Sequence, residues 1–242
     1  SYFKERDISL RQGCTAVVIL VANGRVYVGN AGDARAVFVD SRGRAHRLSH
    51  DHTPLVWSEA ERINRLNGVI IEDPLTNNRM YRVASGVGGL GITRAIGDFS
   101  FYPYVSTDPF MRSFALSDDE AVQCSREMEK DDSPFAKPVP QERASYSHMT
   151  KTSPPAAAAR SDAASGSRSP DPAGATPAGP RRAYFVLACD GLWDTISDQE
   201  AADCIAAEKG DVLRATSRLR DAAYLKGSRD DITVLVVALP LD

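Results

Sequence analysis

The sequence predicts an α+β fold in which antiparallel β-sheets pack together and helices cover them. Two observations carry this prediction. Short β-branched runs separated by turn residues fill the N-terminal part of the chain, and helix-capping patterns introduce several later segments. Strands grouped with strands, followed by helices, are typical of α+β folds rather than of parallel sheets with alternating helices.

The clearest strand pair surrounds Asn23-Gly24. It joins two apolar, β-branched runs at residues 15–21 and 25–28. An Asn-Gly pair in this position predicts a β-hairpin, because both central residues of a type I′ turn adopt positive φ. Further runs at 36–39 and 44–48 have no helix between them, so we expect them to continue an antiparallel meander.

Helices are predicted from their ends. Ser-x-x-Glu patterns at residues 58–61 and 197–200 are capping boxes, in which each side chain bonds a free backbone N–H of the first turn. The first helix should end at Asn67-Gly68 and the second at about residue 208. A third helix is expected over residues 211–225.

Composition changes sharply between residues 121 and 180. From residue 133 onward this segment is rich in proline, serine and alanine and nearly free of large aliphatic side chains. Such a segment buries too little apolar surface to offset the entropy lost on ordering. We therefore predict one domain over residues 1–242 that is interrupted by a disordered insertion at about 121–180.

Acidic residues stand at the ends of the predicted strands. Two short apolar runs, 184–189 and 232–238, are expected to be buried strands. Carboxylates follow the first run, precede the second, and occupy a glycine-containing turn between two N-terminal strands. They are Asp33, Asp190, Asp194 and Asp230. Oxygen ligands at strand ends suit Mg²⁺ or Mn²⁺, although aspartate there also serves turns and helix N-caps.

The bulk properties exclude several classes of protein. Net charge is −3, which gives no basic excess for nucleic acid, and no apolar run is long enough to span a bilayer. The four cysteines form no C-x-x-C pair. We expect an intracellular protein, cytoplasmic or nuclear, that is a monomer and binds neither nucleic acid nor membrane.

Several ordered motifs carry a resemblance to one family. They are Gly13-Cys14-Thr15-Ala16, Asn30-Ala31-Gly32-Asp33-Ala34-Arg35, Leu48-Ser49-His50-Asp51-His52-Thr53-Pro54, Glu61-Arg62-Ile63, Thr93-Arg94-Ala95-Ile96-Gly97-Asp98, Phe185-Val186-Leu187-Ala188-Cys189-Asp190-Gly191-Leu192-Trp193-Asp194 and Gly227-Ser228-Arg229-Asp230-Asp231-Ile232-Thr233-Val234. In this order they resemble the metal-dependent protein serine/threonine phosphatases of the 2C type, the PPM family.

This resemblance implies a fold and a reaction. The fold would be two packed antiparallel β-sheets flanked by helices, with the N-terminal portion missing. The reaction would be hydrolysis of phosphoserine or phosphothreonine on protein substrates, by a water that bridges two Mg²⁺ or Mn²⁺ ions. By resemblance Asp190 and Asp230 are metal ligands, and Asp33 supports a third metal position with Asp190 and Asp194.

The sequence also departs from the family pattern. The phosphate-binding arginine, the Glu-Asp pair and the Asp-Gly-His-Gly motif of the family are not in these residues. No catalytic residue is therefore assigned, and we expect little turnover from this chain alone. The alternative is a pseudophosphatase that acts as a protein-binding or regulatory module.

Other motifs are given structural roles. His50-Asp51-His52 is expected to form loop hydrogen bonds rather than a metal cluster. Cys189 is expected to be a buried structural thiol and Trp193 a packing anchor. The glycines at 86–91 match G-x-G-x-x-G but lack the βαβ context of a nucleotide site.

Overall fold

The computed structural model describes residues 12–72, 81–85, 88–131 and 182–240. All of them belong to one compact unit of the chain. The strands are β1 (Gly13–Cys14), β2 (Ala16–Ala22), β3 (Arg25–Ala31), β4 (Arg35–Val39), β5 (Ala45–Arg47), β6 (Val69–Glu72), β7 (Tyr81–Ser85), β8 (Gly88–Leu90), β9 (Ile96–Gly97), β10 (Phe110–Ala115), β11 (Arg182–Ala188) and β12 (Val234–Pro240). The helices are α1 (Trp57–Arg65), α2 (Asp118–Asp131), α3 (Asp190–Trp193), α4 (Asp198–Ala207) and α5 (Val212–Leu225).

Two sheets form the body of the fold. One has the strand order β10-β3-β2 and the other β12-β11-β4-β5. Every pairing within them is antiparallel. A smaller β6-β7-β8 sheet and the β1-β9 pair are also antiparallel.

Two hydrophobic cores define the layers. Between the two sheets, Val26 and Val28 of β3 pack with Phe38 of β4 and Phe185 of β11. On the opposite side of the four-stranded sheet, a second core joins that sheet to α3, α4 and α5. The predicted α+β class, with packed antiparallel sheets flanked by helices, is confirmed.

The predicted hairpin and the second capping box are confirmed. Asn23 and Gly24 have φ values of 52° and 69°, as a type I′ turn requires. The Ser197 side chain accepts from the Glu200 backbone N–H, and the Glu200 side chain accepts from the Ser197 backbone N–H. The third predicted helix is confirmed as α5, whose N-cap is Asp211.

The prediction of the first capping box, at residues 58–61, is wrong. Helix α1 begins two residues earlier than predicted, with Val56 rather than Ser58 at the N-cap and no side-chain cap bond. Glu61 instead pairs with Arg65 on the next turn, at 2.5 Å. The predicted end is nevertheless confirmed, because Asn67 has a φ of 57°.

The predicted meander is only half correct. The β2-β3 and β4-β5 hairpins form, but they lie in different sheets, so the chain crosses between layers after Ala31. The run at 232–238 is also less buried than predicted. Among the described residues strand β12 pairs with β11 alone, and Leu235 is 54% exposed although its register with Leu187 places it on the side of the sheet that faces the core between the sheets.

The structure also corrects the predicted start of the insertion at residue 121. Helix α2 runs to Asp131, and its Ala121, Cys124 and Met128 are buried in the core between the sheets. These apolar residues recur at helical spacing, which averaging composition over a longer segment hides. The rest of the predicted insertion, residues 132–180, lies outside the described residues.

Candidate metal centre

The ends of three neighbouring strands lie side by side at one end of the four-stranded sheet. Arg35 at the start of β4 pairs with Ala188 at the end of β11, which in turn pairs with Val234 at the start of β12. Asp33 lies two residues before Arg35, and Asp190 lies two residues after Ala188. Antiparallel pairing therefore brings the turns that carry the predicted carboxylates to the same end of the sheet.

The turn that carries Asp33 is fixed by close packing and by a buried histidine. Gly32 has a φ of 102°, and a Cβ there would lie 2.3 Å from Cγ2 of Thr15, so only glycine fits. Nδ1 of His52 lies 3.2 Å from the Gly32 backbone nitrogen and accepts its hydrogen when that ring atom is unprotonated. The local backbone thus holds Asp33 in place.

A glycine also brings Asp190 and Asp230 together. A Cβ on Gly191 would lie 2.3 Å from the Asp231 carbonyl oxygen and 3.5 Å from Cβ of Asp230. Ser228 Oγ donates to the Gly191 carbonyl at 2.7 Å, which ties the two turns together. Any side chain at position 191 would push the Asp230 loop away from Asp190.

Backbone hydrogen bonds orient both carboxylates. The N–H of Gly191 donates to Oδ1 of Asp190 at 3.0 Å, and the N–H of Asp231 donates to Oδ1 of Asp230 at 2.8 Å. Asp194 ends helix α3, and its N–H donates to the Asp190 carbonyl at 2.8 Å. Each carboxylate therefore belongs to a turn with a fixed backbone.

The electrostatics indicate one shared negative region. Burial and then the charge of Asp190 raise the pKa of Asp33 to about 7. Burial and then Asp230 raise the pKa of Asp190. Burial and then Asp190 raise the pKa of Asp194, against the lowering effect of Arg35. Neighbouring like charges and partial desolvation are the two causes, and a bound cation relieves the first.

Sequence reasoning missed the basic residue beside this region. Arg35 donates to Asp51 through Nε at 3.0 Å and to Asp198 through Nη1 at 2.6 Å. Its guanidinium also stacks 5.1 Å from the Trp193 ring centroid. The Ser197 capping box predicted that Asp198 lies in the first turn of α4, but not that it pairs with Arg35.

The residues present fit a hard divalent cation by their chemistry. All four predicted ligands are carboxylates, and oxygen is the donor that Mg²⁺ and Mn²⁺ prefer. Across residues 12–72, 81–85, 88–131 and 182–240, however, no three His, Cys, Asp or Glu side chains are grouped closely enough to hold a metal ion. The cluster is a negative region with suitable donors rather than a closed coordination cage.

The remaining motifs take structural roles. Asp51 pairs with Arg35, and His52 contacts the Gly32 turn, as expected for loop hydrogen bonds. Cys189 is partly buried and its Sγ donates to the Asp231 carbonyl at 3.0 Å. Trp193 is 7% exposed and its Nε1 donates to the Ala188 carbonyl, which confirms a packing anchor.

Replacing Asp33 with asparagine should stabilise the metal-free protein. Asp33→Asn removes one partly desolvated charge from the negative region, so we expect the free energy of unfolding to rise by about 2 kcal/mol. The measurement is urea unfolding at neutral pH in a chelator. Asp203→Asn on the exposed face of α4 is the control and should change stability by less than about 0.5 kcal/mol. Destabilisation by Asp33→Asn would contradict the repulsion described above.

Comparison with known proteins gives the family. The sequence model of the family described as "Protein phosphatase 2C" matches residues 3–123 and 159–232, most of the chain. The chain belongs to this family. Protein phosphatases 2C are protein serine/threonine phosphatases, and dependence on a divalent metal is general among them.

Curated relatives agree over nearly the whole chain. "Probable protein phosphatase 2C 25" of Arabidopsis thaliana is 27% identical over 99% of the chain, which spans 43% of that relative. "Probable protein phosphatase 2C 74" of Oryza sativa subsp. japonica is 30% identical over 95% of the chain, which spans 40% of that relative. The chain therefore spans less than half the length of either relative.

Solved structures support the fold. The serine-threonine phosphatase 2C from Toxoplasma gondii matches 93% of this chain and 57% of its own, with a TM-score of 0.58 and 20% identity. A C. elegans sex determining protein gives a TM-score of 0.59 with 16% identity, covering 93% of this chain and 40% of its own. Among the described residues no helix is long and apolar enough to cross a membrane.

Proposed function

We propose that the whole protein hydrolyses phosphoserine and phosphothreonine on protein substrates with two Mg²⁺ or Mn²⁺ ions, and a third ion in a weaker position. Asp190 and Asp230 hold the main metal positions, and Asp33 and Asp194 support the weaker one. One observation supports this above the others: packing of Gly191 against residues 230–231 joins two carboxylate turns from distant parts of the sequence.

The residues of this chain act by position and charge. Bound divalent ions would activate a water nucleophile and offset negative charge on the phosphoryl group. The Gly191 and Asp231 N–H groups fix the carboxylates that would hold those ions. Arg35 lies close enough to lower the pKa of Asp194, and so limits the repulsion around it.

Residues 1–242 alone should turn over phosphopeptides slowly, if at all. The described carboxylates form no closed group of three, so their affinity for metal would be weak without further ligands. Phosphorylated proteins are the proposed substrates, and a monomer in the cytoplasm or nucleus is the proposed state.

Metal binding and hydrolysis test the proposal together. Mn²⁺ binding to the 242-residue chain is measured by calorimetry, and Mn²⁺-dependent hydrolysis of a phosphothreonine peptide is measured for this chain and for a longer version that carries upstream residues. Asp190→Ala should lower the Mn²⁺ affinity and the activity of the longer version roughly tenfold or more. Asp221→Asn is the matched control, because its side chain is 60% exposed on α5 and pairs with its neighbour Arg220.

The pseudophosphatase alternative makes the opposite prediction. A longer version without activity, together with Asp190→Ala that leaves Mn²⁺ binding unchanged, would rule out the enzyme. The protein would then act through its surface alone.

A further inference from the structure

We propose that His52 is a positioning residue for the metal position that Asp33 supports, and that it acts through Gly32 with Nδ1 of its ring unprotonated. The ring holds the turn at residues 32–33 in the orientation that brings Asp33 close enough to Asp190 for their charges to interact. This role rests on the proposed function, because Asp33 is one of the proposed metal ligands.

The backbone of His52 is bonded on both sides. Its N–H donates to the Gly32 carbonyl at 3.0 Å, and its own carbonyl accepts from the Thr93 N–H at 2.9 Å. His52 is also only 2% exposed, so its ring has no room to turn out towards solvent. The position of the ring is therefore fixed before the Gly32 N–H is considered.

Thr93 is itself anchored in a buried network that reaches helix α1. Its Oγ1 donates to Oε2 of Glu59 at 2.7 Å, and Nη2 of Arg62 donates to its carbonyl at 2.9 Å. Nε of Arg94 donates to the other oxygen of Glu59 at 3.0 Å. Thr93 is 0% exposed. Through Thr93, His52 is tied to a part of the fold that does not depend on the Asp33 turn.

The side chain of Asn30 settles how the hydrogens around this turn are arranged. Asn30 is 1% exposed, and its Nδ2 lies 2.5 Å from the His50 carbonyl oxygen and 3.2 Å from the Gly32 carbonyl oxygen. The reversed amide would place Oδ1 against both oxygens, so the amino group must point at them. Both of its hydrogens are then used, and none is left for Nδ1 of His52 at 3.4 Å.

The hydrogen-bond capacity of Gly32 then decides where the ring of His52 carries its proton. The Gly32 carbonyl already accepts from the His52 N–H and from Nδ2 of Asn30, which uses its two lone pairs. A proton on Nδ1, 3.0 Å from that oxygen, would add a third donor and leave the buried Gly32 N–H without its acceptor. With Nδ1 unprotonated, the Gly32 N–H donates to it at 3.2 Å. The ring proton is therefore on Nε2.

These bonds matter for Asp33 because a glycine precedes it. Glycine restricts backbone rotation less than any other residue, so its neighbours must hold the peptide groups on either side. The ring of His52 holds the group before Gly32, whereas Asn30 and the His52 N–H hold the group that joins Gly32 to Asp33. Groups that orient metal ligands in this way typically change metal affinity by about 10- to 100-fold.

The metal-free protein tests the contact itself. Nitrogen NMR of the ring should show His52 with Nδ1 unprotonated and the proton on Nε2. His52→Gln removes the acceptor from the δ position, and we expect hydrogen exchange of the Gly32 amide to become at least about tenfold faster. His52→Asn keeps an oxygen at the δ position and should restore most of the protection.

Mn²⁺ binding to the 242-residue chain, measured by calorimetry, tests the consequence. We expect His52→Gln to lower the affinity about tenfold and His52→Asn to stay within about threefold of the wild type. In a chain that already carries Asp33→Asn, His52→Gln should have almost no further effect, because a positioning residue acts only through the ligand that it holds.

His46→Gln is the matched control. His46 is also buried, at 9% exposed, and its Nε2 lies 3.0 Å from Oδ2 of Asp40. It is paired with Phe38, five residues along the chain from Asp33. The control should leave both the Gly32 exchange and the Mn²⁺ affinity within about twofold of the wild type.

Four results would overturn the role of His52. They are a proton on Nδ1, Gly32 exchange that His52→Gln leaves unchanged, an equal loss of Mn²⁺ affinity with and without Asp33→Asn, and an equal loss in His46→Gln. The last two would show that His52 supports the fold in general. A wild type that binds no Mn²⁺ would instead refute the proposed function, and the ring protonation and Gly32 exchange would still decide whether His52 holds the turn.

Discussion

Replacing Arg35 with methionine should lower the free energy of unfolding by about 3 kcal/mol, because it leaves two partly buried carboxylates without their main partner. The side chains of Arg35, Asp51 and Asp198 are 11%, 19% and 20% exposed, so solvent compensates each charge poorly. Arg47 keeps its bond to Asp198 at 2.9 Å, which holds the loss at the lower end of the range for a broken buried pair. Methionine retains most of the aliphatic contact with Trp193.

Urea unfolding at neutral pH measures this effect. Arg35→Lys keeps the positive charge but loses the planar, two-sided geometry of the guanidinium, and should cost about half as much. Arg220→Met is the matched control, since its side chain is 59% exposed and pairs with the adjacent Asp221; it should stay within about 0.5 kcal/mol of the wild type. A change below about 1 kcal/mol for Arg35→Met would mean that this network contributes little to stability.

The strands and turns that carry the carboxylates were predictable from local pattern, but their convergence at one end of the sheet was not, because it depends on the pairing of β4, β11 and β12. The apolar run before Asp190 and the Asn23-Gly24 turn each depend on residues within one strand or hairpin, where periodicity and turn preference decide the structure. The resemblance to the family supplied the expected metal-ligand roles of the four aspartates. It did not supply the Gly191 contact, which joins positions 40 residues apart in sequence.

What failed depended on partners distant in sequence. The Ser58 capping box has the correct local pattern, but Glu59 points into the structure and is held by Thr93 and Arg94. Arg35 gave no local indication that it would bind Asp198, 163 residues later. The start of the insertion was misplaced because the core supplies the contacts that stabilise α2.

The pH dependence conferred by Glu59 should be visible in acid. Glu59 is 2% exposed and accepts from Thr93 Oγ1 at 2.7 Å, from Arg62 Nη2 at 2.9 Å and from Arg94 Nε at 3.0 Å. Burial alone would raise the pKa of Glu59. The hydrogen bond and charge of Arg94, the charge of Arg62 and the hydrogen bond of Thr93 instead lower it from 4.5 to about 2. The unfolded chain therefore takes up this proton first as the pH falls.

The sign and size follow from that difference. Because the folded pKa is the lower one, the stabilisation is complete above about pH 5 and is lost as the pH falls from 4.5 towards 2. The full contribution is about 3 kcal/mol, and about 1.5 kcal/mol of it should be gone by pH 3.5. The stability of the wild type alone, measured against pH, does not isolate the contribution of Glu59. Burial lowers the pKa of His52 to about 4, so its contribution also falls with acid, whereas Asp33, with its pKa raised to about 7, gains stability over part of the same range.

The difference between the wild type and Glu59→Gln removes the contribution of Asp33 and most of that of His52, although the charge of Glu59 raises the pKa of His52 and its removal changes that part. Urea unfolding at pH 7, 5 and 3.5 should give a gap of about 3 kcal/mol at the first two values, shrinking to roughly half at the third. Glu61→Gln, which removes an exposed pair with Arg65 on the same helix, should give a gap below about 0.5 kcal/mol throughout. A Glu59→Gln gap that stays constant down to pH 3.5 would mean that the negative charge of Glu59 adds nothing to its hydrogen bonds. Helix α1 would then be held to residues 93–94 by geometry alone.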